Sequence, residues 1–521
     1  IAKRWSNEIE EQITQKWVEE EPFKFNVDDV IKNNKKVYSI DTPPPYVDAP
    51  IHIGQAVTYS MMDMFARYKR MKGFAVLFPL GLDRNGLPIE MAAQKKFNIT
   101  PEQVGREKFL EYCRQILEES SNESVKTFMR LGISFNSYKF GENIGQAYMT
   151  DSNDYRLLTQ KTFYEMWKKG LIYEGNYISN YCPGCKTTLA DSEVVYEERT
   201  KKLWYVKFKV KETDETIIIA TTRPELLGSC KAVIFNPDDD RYKHLQDKTA
   251  ITPLGDEVKI FASNYASMEF GTGLVMMCSF GDLTDIRFFR EHKLEPVILI
   301  DENGLMNEKA GMLKGLTVEE ARKKIVEWLK QNDAITKEET ITARVPVCER
   351  SKHQIEFIQV PELYLKQEAF KQELMEIAKQ INFYDKTSRQ MLLNWIESIN
   401  QDWPISRKRY YATAIPLWYC EKCGNPIIGD EQKYYEPWKD KPPVQQCPKC
   451  KHTKFKPETR VFDTWFDSSI SCLYILGYKK HDDFFKIAFP CTLRPQGKDI
   501  VRTWLYYTCL LYTSPSPRDR G

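Results

Sequence analysis

Two cysteine knuckles, Cys420-x-x-Cys423 and Cys447-x-x-Cys450, stand twenty-three residues apart. That spacing suits tetrahedral structural zinc, and four thiolates leave no coordination position open for catalysis. A further knuckle, Cys182-Pro183-Gly184-Cys185, has Cys348 as its partner, with Ser351 where a fourth cysteine would stand. Either His353 completes that set, or metal binding there is weak or lost. Cys113, Cys230, Cys278, Cys472, Cys491 and Cys509 lie in apolar contexts and read as buried thiols. A different chemistry is offered by Pro50-Ile51-His52-Ile53-Gly54-Gln55, an imidazole at the start of a helix with a glycine that lets a ligand approach the backbone. Such an imidazole can donate to a phosphate oxygen as charge builds at an α-phosphorus. Taken alone, so short a string also reads as a capping or packing histidine.

The elements that must position these groups follow from periodicity. Lys36 to Asp41 reads as a strand before a proline-rich turn. From Ile53 to Lys72 the apolar residues Val57, Met61, Met64, Phe65, Tyr68 and Met71 recur near helical spacing, Gly73 ends the helix, and Phe74 to Phe78 is an apolar run. Strand, helix and strand of that length make one parallel crossover, the start of a doubly wound α/β sheet. Ligands of such sheets lie beyond the carboxyl ends of the strands, which puts residues 43–54 and 81–90 at one site. Asp151 to Lys169 is helical in pattern. Beyond Cys182 the pattern turns to strands: Trp204, Val206, Phe208 and Val210 alternate with Tyr205, Lys207 and Lys209, and Ile217 to Thr221 is the expected hairpin partner. Helices are expected again at Pro361 to Ala378 and Thr387 to Ile399. The expected organisation is a first half-sheet over 1–180, an inserted β-rich domain over 181–345 with a zinc knuckle at its base, and a second half-sheet over 346–511 containing a zinc ribbon at 417–455. The Ser-Pro segment 512–521 lacks apolar periodicity and reads as a tail foreign to the fold.

A chain of 521 residues exceeds one core at roughly 150 residues per domain. With 42% hydrophobic and 28% charged residues it belongs with soluble globular proteins, and no apolar run is long enough to span a membrane. The start lacks an initiator Met and a secretory apolar region, as expected of a truncated cytoplasmic protein. A net charge of +2 neither demands nor excludes a polyanion. Of thirteen cysteines, six fall in Cys-x-x-Cys pairs, which points to metal binding in a reducing compartment before disulfides. The basic run Arg67, Lys69, Arg70 and Lys72 reads as a solvated helix face.

In order along the chain, Asp41-Thr42-Pro43-Pro44-Pro45-Tyr46, His52-Ile53-Gly54-Gln55, Ala66-Arg67-Tyr68-Lys69-Arg70-Met71-Lys72-Gly73 and Gly81-Leu82-Asp83-Arg84-Asn85-Gly86-Leu87-Pro88-Ile89-Glu90 resemble the first half of the class I aminoacyl-tRNA synthetases of the valine, isoleucine and leucine group. Asn394-Trp395, Trp403-Pro404-Ile405-Ser406-Arg407, Asp463-Thr464-Trp465-Phe466-Asp467-Ser468-Ser469 and the stretch Arg494 to Trp504 resemble its second half. The likeness covers about residues 1–511 and is closest to archaeal-type valine enzymes. It implies a Rossmann-like catalytic domain split by an editing domain, ATP-dependent activation of valine with Mg2+, transfer to tRNA(Val), hydrolysis of misacylated threonyl-tRNA(Val), structural Zn2+ and a monomer. Enzymes for isoleucine or leucine, and a non-catalytic RNA-binding zinc protein of the same fold, are the alternatives.

Carried onto these positions, the resemblance makes His52 and Gln55 the catalytic groups, and gives His52, Gly54, Gln55, Gly497 and Asp499 to ATP. Pro43, Pro44, Asp83, Trp465 and Trp504 line the amino-acid pocket, Asp83 holding the ammonium with help from the Pro43 carbonyl. Isoleucine enzymes have glycine where Pro43 stands, and the proline ring fills space that a longer side chain would need. A small apolar pocket rejects isosteric threonine poorly, a rule illustrated by the valine enzymes themselves, and a second hydrolytic site is the remedy. The resemblance gives that site to Thr221, Thr222, Arg223, Glu225, Gly271, Asp282 and Asp285, with Asp282 on the ammonium of misattached threonine. Three departures stand out. Gln55 replaces the usual second histidine of the signature, and Met276 replaces a frequent lysine. The Lys-Met-Ser-Lys-Ser loop and the anticodon-binding domain do not occur in the sequence, so this chain is expected to bind ligands better than it turns them over.

Overall fold

The computed structural model describes residues 4–47 and 49–513; the expected tail from Ser514 onward lies outside the described residues. The chain folds as two compact units, one formed by Ile1–Tyr173 with Leu363–Gly521, the other by Glu174–Glu362.

In the first unit, β1 (Val37–Ser39) pairs in parallel with β2 (Ala75–Leu77), and α1 (Ile53–Met71) is the crossover between them. On the other side of β1 the chain returns from its far end: Leu493 N donates to Ser39 O at 2.9 Å, Asp41 N donates to Leu493 O at 3.0 Å, and Ile40 bridges Leu493 in parallel. β3 (Gly81–Leu82) pairs in parallel with β4 (Tyr148–Met149), followed by α2 (Leu87–Phe97) and α3 (Asn153–Lys168). These are parts of the expected doubly wound α/β fold. The apolar stripe of α1 faces outward, with Val57 50% and Met71 85% exposed and Met61, Met64 and Tyr68 between, while Tyr59, Met62, Asp63 and Ala66 face the core. A helix with two apolar rows of the same period does not declare which row is inward. Polar contacts decide it here: the Tyr59 hydroxyl donates to the Pro43 carbonyl, and Asp63 accepts from Ser134 N at 2.8 Å.

In the second unit the expected hairpin forms. β5 (Val194–Val210) pairs antiparallel with β6 (Thr216–Thr221), Trp204 opposite Thr221 and Lys209 opposite Thr216. With β7 (Cys230–Phe235), β8 (Thr249–Ile251), β9 (Glu257–Ala262), β10 (Leu274–Cys278) and β11 (Ile335–Cys348), the sheet order is β10-β7-β9-β8-β5-β11, with β6 also on β5. Two helices complete this unit's framework, α4 (Leu283–Glu291) and α5 (Val318–Gln331). A capping box between Thr317 and Glu320 starts α5, whose Val318, Ala321, Ile325 and Leu329 enter the core of the sheet.

The strand β12 (Glu356–Leu365) corrects an expectation, because helix was expected from Pro361. Helix begins only with α6 (Lys371–Gln380). Proline is as acceptable on an open strand position as at the first turn of a helix, and Leu363 to Leu365 are buried on both faces as sheet residues. α7 (Lys386–Ser398) follows the expected course. A three-stranded antiparallel ribbon, β13 (Leu417–Cys420), β14 (Pro426–Ile428) and β15 (Phe455–Pro457), closes on Trp418, Ile427 and Tyr435. After the short α8 (Thr464–Ser468), α9 (Tyr506–Thr513) runs two residues into the segment expected to be tail. Among the described residues no helix is long and apolar enough to cross a membrane.

Candidate active site and cysteine clusters

His52 is the N-cap of α1. Its Nδ1 accepts from the backbone N–H of Gly54 and Gln55 at 3.1 and 3.3 Å, and Gln55 Oε1 accepts from His52 N at 3.1 Å. This reciprocal box fixes the ring with its proton on Nε2, the one edge left for a ligand. At Gly54 an added Cβ would lie a tight 3.0 Å from the imidazole, so any larger residue would press on the ring. The capping reading of the string therefore describes this geometry, and Gln55 fills the cap by its side-chain oxygen.

Asp83 lies at the carboxyl end of β3, 2% exposed, its N–H donating to Pro45 O at 2.9 Å so that the proline turn and the carboxylate adjoin. Oδ1 accepts from Thr150 Oγ1 at 3.0 Å, and Oδ2 accepts from Ser468 Oγ at 2.7 Å. Trp504 N–H donates to Ser468 O at 2.9 Å, which sets this fully buried indole behind the same residue; Trp465 is half-buried. Pro43 is half-buried and Pro44 buried, and the Pro43 carbonyl already accepts from Tyr59. The far segment is anchored by Arg494, whose Nε lies 2.8 Å from the buried Asp41 and whose guanidinium stacks on Trp504 at 3.7 Å. Burial raises the Asp41 carboxyl, with Arg494 opposing. Three residues on, Gly497 and the exposed Asp499 form a pair: a Cβ at 497 would collide with Asp499 Oδ1 at 2.3 Å.

Sequence reasoning missed three buried groups that hold this site. Glu90 accepts the backbone N–H of Tyr410 and Tyr411, both at 2.9 Å, tying α2 to a segment over three hundred positions later. Asp463 accepts from Arg407 Nη2 at 2.6 Å and Trp403 Nε1 at 3.0 Å while capping α8. Asp467 accepts from Thr159 and Thr413 hydroxyls at 2.8 and 2.7 Å. All three lay inside or beside motifs already singled out, but charge in a motif reads first as ligand contact.

The expected editing residues also gather. Gly271, at φ +62°, brings its loop against Ala220 on β6, and Thr272 Oγ1 donates to Ile218 O at 2.6 Å. Thr221 Oγ1 accepts from Arg223 N at 3.0 Å, and Thr222 is half-buried. Arg223 binds Glu225 at 3.1 Å, the Gly281 carbonyl at 2.8 Å and Glu356, and Arg322 binds Glu225 at 2.7 Å. Arg223 and Glu225 thus belong to a buried four-residue ion network whose other members, Arg322 and Glu356, carried no sequence signal. Asp282 is exposed and caps α4, accepting from Thr284 N and Asp285 N at 2.7 and 2.9 Å. Asp285 is buried on Cys278 N at 3.0 Å, where burial and the charge of Asp282 push its carboxyl far up.

Cys420, Cys423, Cys447 and Cys450 bring four sulfurs within 4.8 Å of one another, Cys420–Cys450 at 3.4 Å and Cys423–Cys447 at 3.7 Å. Sulfurs bound to one tetrahedral zinc would stand about 3.8 Å apart, so the set fits a metal. Burial raises the Cys420 thiol, but the N–H groups of Cys423 and Lys422 outweigh it and bring it to about 7. Cys182, Cys185 and Cys348 form a second cluster that could hold a metal. At its fourth corner Ser351 Oγ lies 3.1 Å from Cys182 Sγ, while His353 turns against Gly184 with Nδ1 3.1 Å from Ser351 O. Of the two options left open for this set, His353 is not the fourth member. Cys113, Cys230, Cys278, Cys472 and Cys509 are buried, and Cys491 is half-buried.

Residues 12–515 match the model of the class I tRNA synthetases for isoleucine, leucine, methionine and valine. The chain is similar to the valine–tRNA ligases of Aeropyrum pernix, at 44% identity over 98% of this chain and 62% of that protein, and of Pyrobaculum aerophilum, at 45% over 98% and 63%. The valine–tRNA ligase of Nanoarchaeum equitans is 46% identical over 94% of this chain and 64% of its own length. The chain therefore spans under two thirds of the length of these relatives.

Proposed function

Because the chain belongs to the class I tRNA synthetases of the isoleucine, leucine, methionine and valine group, we propose that it forms the catalytic and editing part of a valine–tRNA ligase. Asp83 takes the ammonium of valine, a charge-assisted contact to a carboxylate that is almost fully buried. Pro43, Pro44, Trp465 and Trp504 bound its side chain. Gly497 and Asp499 take the ribose of ATP, glycine for close approach and the carboxylate for the hydroxyls. Gln55 keeps the His52 ring oriented, its own amide nitrogen remaining as a donor. The valine carboxylate attacks the α-phosphorus, the bond to pyrophosphate breaks and pyrophosphate leaves, its charge being one that Mg2+ would neutralise when bound, and His52 Nε2 donates to the oxygen on which charge builds. The valyl group then passes to the terminal ribose of tRNA(Val).

The observation that carries this reading is the joining of distant stretches at the carboxyl ends of β1 and β3: Asp41 with Arg494 at 2.8 Å, and Asp83 with Ser468 at 2.7 Å. A fold retained only for RNA binding has no need of a buried carboxylate at an amino-acid pocket. The Glu174–Glu362 unit serves as the editing domain. Arg223 and Glu225 shape its site from within the ion network, and the exposed Asp282 faces the ammonium of threonine, with Thr221, Thr222 and Gly271 beside the terminal adenosine. Zn2+ in the four-thiolate cluster is structural. Thiolate clusters of this kind suit a reducing cytoplasm, and a monomer suffices because each group named comes from one chain. Valine-dependent exchange of pyrophosphate into ATP by the full-length polypeptide tests the reading; exchange driven by isoleucine or leucine, or none at all, overturns it.

A further inference from the structure

Four turns of the chain share one construction. In each, a cysteine opens the turn and the residue three places on gives its N–H to that cysteine's sulfur. The residue four places on takes left-handed backbone and gives its N–H to the cysteine's carbonyl. The four-cysteine cluster uses two such turns, Cys420 to Gly424 (φ +68°, 2.8 Å) and Cys447 to Lys451 (φ +63°, 2.9 Å). A third runs from Cys182 to Lys186 (φ +54°, 2.7 Å), with Cys185 N 3.2 Å from Cys182 Sγ. The fourth runs from Cys348 to Lys352 (φ +60°, 3.0 Å), and here it is Ser351 that gives its N–H to the Cys348 sulfur. Three of the four left-handed residues are lysines, for which that conformation is uncommon, so the shared turn reflects a common task rather than local preference. Ser351 thus stands in its turn where Cys185, Cys423 and Cys450 stand in theirs.

We propose that Cys182, Cys185, Cys348 and Ser351 form a three-sulfur, one-oxygen site for a borderline divalent cation, Zn2+ or Co2+, with the serine hydroxyl as the fourth ligand. The three cysteines are buried, Cys185 and Cys348 sulfurs lie 3.9 Å apart, and all three sulfurs fall within 4.8 Å of one another. Ser351 Oγ lies 3.1 Å from Cys182 Sγ, and the same hydroxyl reaches the thiols of Cys185 and Cys348. Around one tetrahedral ion, sulfur and hydroxyl oxygen would stand about 3.6 Å apart, so a small opening of this corner admits the metal. The corner is also the way in, since Ser351 is half-buried while Gly184 and Lys352 are exposed. On binding, the thiol protons pass to solvent as three metal–sulfur bonds form, and the serine keeps its proton and lends a lone pair. The ion with its ligands then carries one negative charge, against two in the four-thiolate cluster, so it is held less tightly and exchanges sooner. Cys348 ends β11 opposite Val194 of β5, and Cys182 ends the strand Ile172–Cys182. Occupancy therefore ties strand ends of the Glu174–Glu362 unit together, and that unit's stability follows the free metal concentration.

The test is titration of Co2+ into the reduced chain after one equivalent of Zn2+ has filled the four-sulfur cluster, followed by absorption spectroscopy. The second site is expected to take one Co2+ with tetrahedral ligand-field bands. Its sulfur-to-cobalt charge-transfer intensity is expected at about three quarters of that of Co2+ in the four-sulfur cluster, in proportion to the thiolates. Ser351→Ala is expected to weaken Co2+ at this site by at least about tenfold, because losing even a group that only orients a metal ligand costs that much. Ser351→Cys is expected to tighten binding and bring the intensity to the four-sulfur level. An alanine variant that binds Co2+ within about threefold of wild type, with the same spectrum, makes the serine a bystander and overturns the assignment. A wild-type chain that takes no tetrahedral ion beyond the first equivalent overturns it as well. Should the alanine variant not fold, the cysteine variant decides, and an intensity unchanged from wild type overturns the assignment.

Discussion

Replacing Asp83 by Asn removes a charge from the amino-acid pocket while keeping its shape. The carboxylate is 2% exposed and already accepts from Thr150, Asn85 N and Ser468. An asparagine oxygen can keep the Thr150 and Asn85 contacts, and the Ser468 hydroxyl can rotate to accept from the new amide. The fold should therefore survive with little loss. What is lost is the charge-assisted contact with the substrate ammonium, about 2–3 kcal/mol for a hydrogen bond to a charged group, or roughly 30- to 150-fold in affinity. The proposed ATP contacts lie elsewhere, at His52, Gly497 and Asp499, so ATP affinity should hold. Melting temperatures measured against valine and, separately, against ATP report both, because a ligand stabilises the fold by RT ln(1 + [L]/Kd). The reasoning fails if Asp83→Asn binds valine within about threefold of wild type. It fails equally if valine and ATP are lost together, since that pattern marks a damaged fold.

Pro43→Gly should admit isoleucine, narrowing valine-over-isoleucine discrimination by about tenfold or more, the worth of one methylene in an apolar pocket; competitive binding of the two amino acids checks it. Glu356→Ala leaves the buried Arg223 without one of its carboxylates, which should cost the Glu174–Glu362 unit about 3–5 kcal/mol and lower its melting by roughly 10 °C. Calorimetry would contradict this with a shift under about 2 °C. After loading with Zn2+, a chelator with a colorimetric dye should release one equivalent quickly, from the three-cysteine cluster, and one slowly, from the closed four-cysteine set. Ser351→Cys should slow the quick phase, and identical rates for both sites would show that the serine corner does not matter.

The crossover of α1 and the hairpin of β5 and β6 could be read directly, because strand alternation and bounded apolar runs report local geometry. The stripe on α1 could not, since Tyr59, Met62 and Ala66 share its period and the choice was made by Pro43 and Ser134, which belong to other segments. Pro361 misled for a related reason: one residue suits both the first turn of a helix and an open strand position, and the neighbours in space decide. At the site, His52, Gly54 and Gln55 were found from their local string, and their capping box is equally local. The supports of the site were not. Glu90, Asp463 and Asp467 act on residues far away in sequence, and Glu356 is known as a partner of Arg223 only once the fold brings them together.

The central claim is that stretches near residues 41–55 and 83–90 form one pocket with the stretch from 494 to 504. Hydrogen–deuterium exchange of the chain with and without a non-hydrolysable valyl-adenylate analogue measures this directly. Protection is expected at once around His52, Asp83 and residues 494–504; protection confined to one of the two halves would contradict the account.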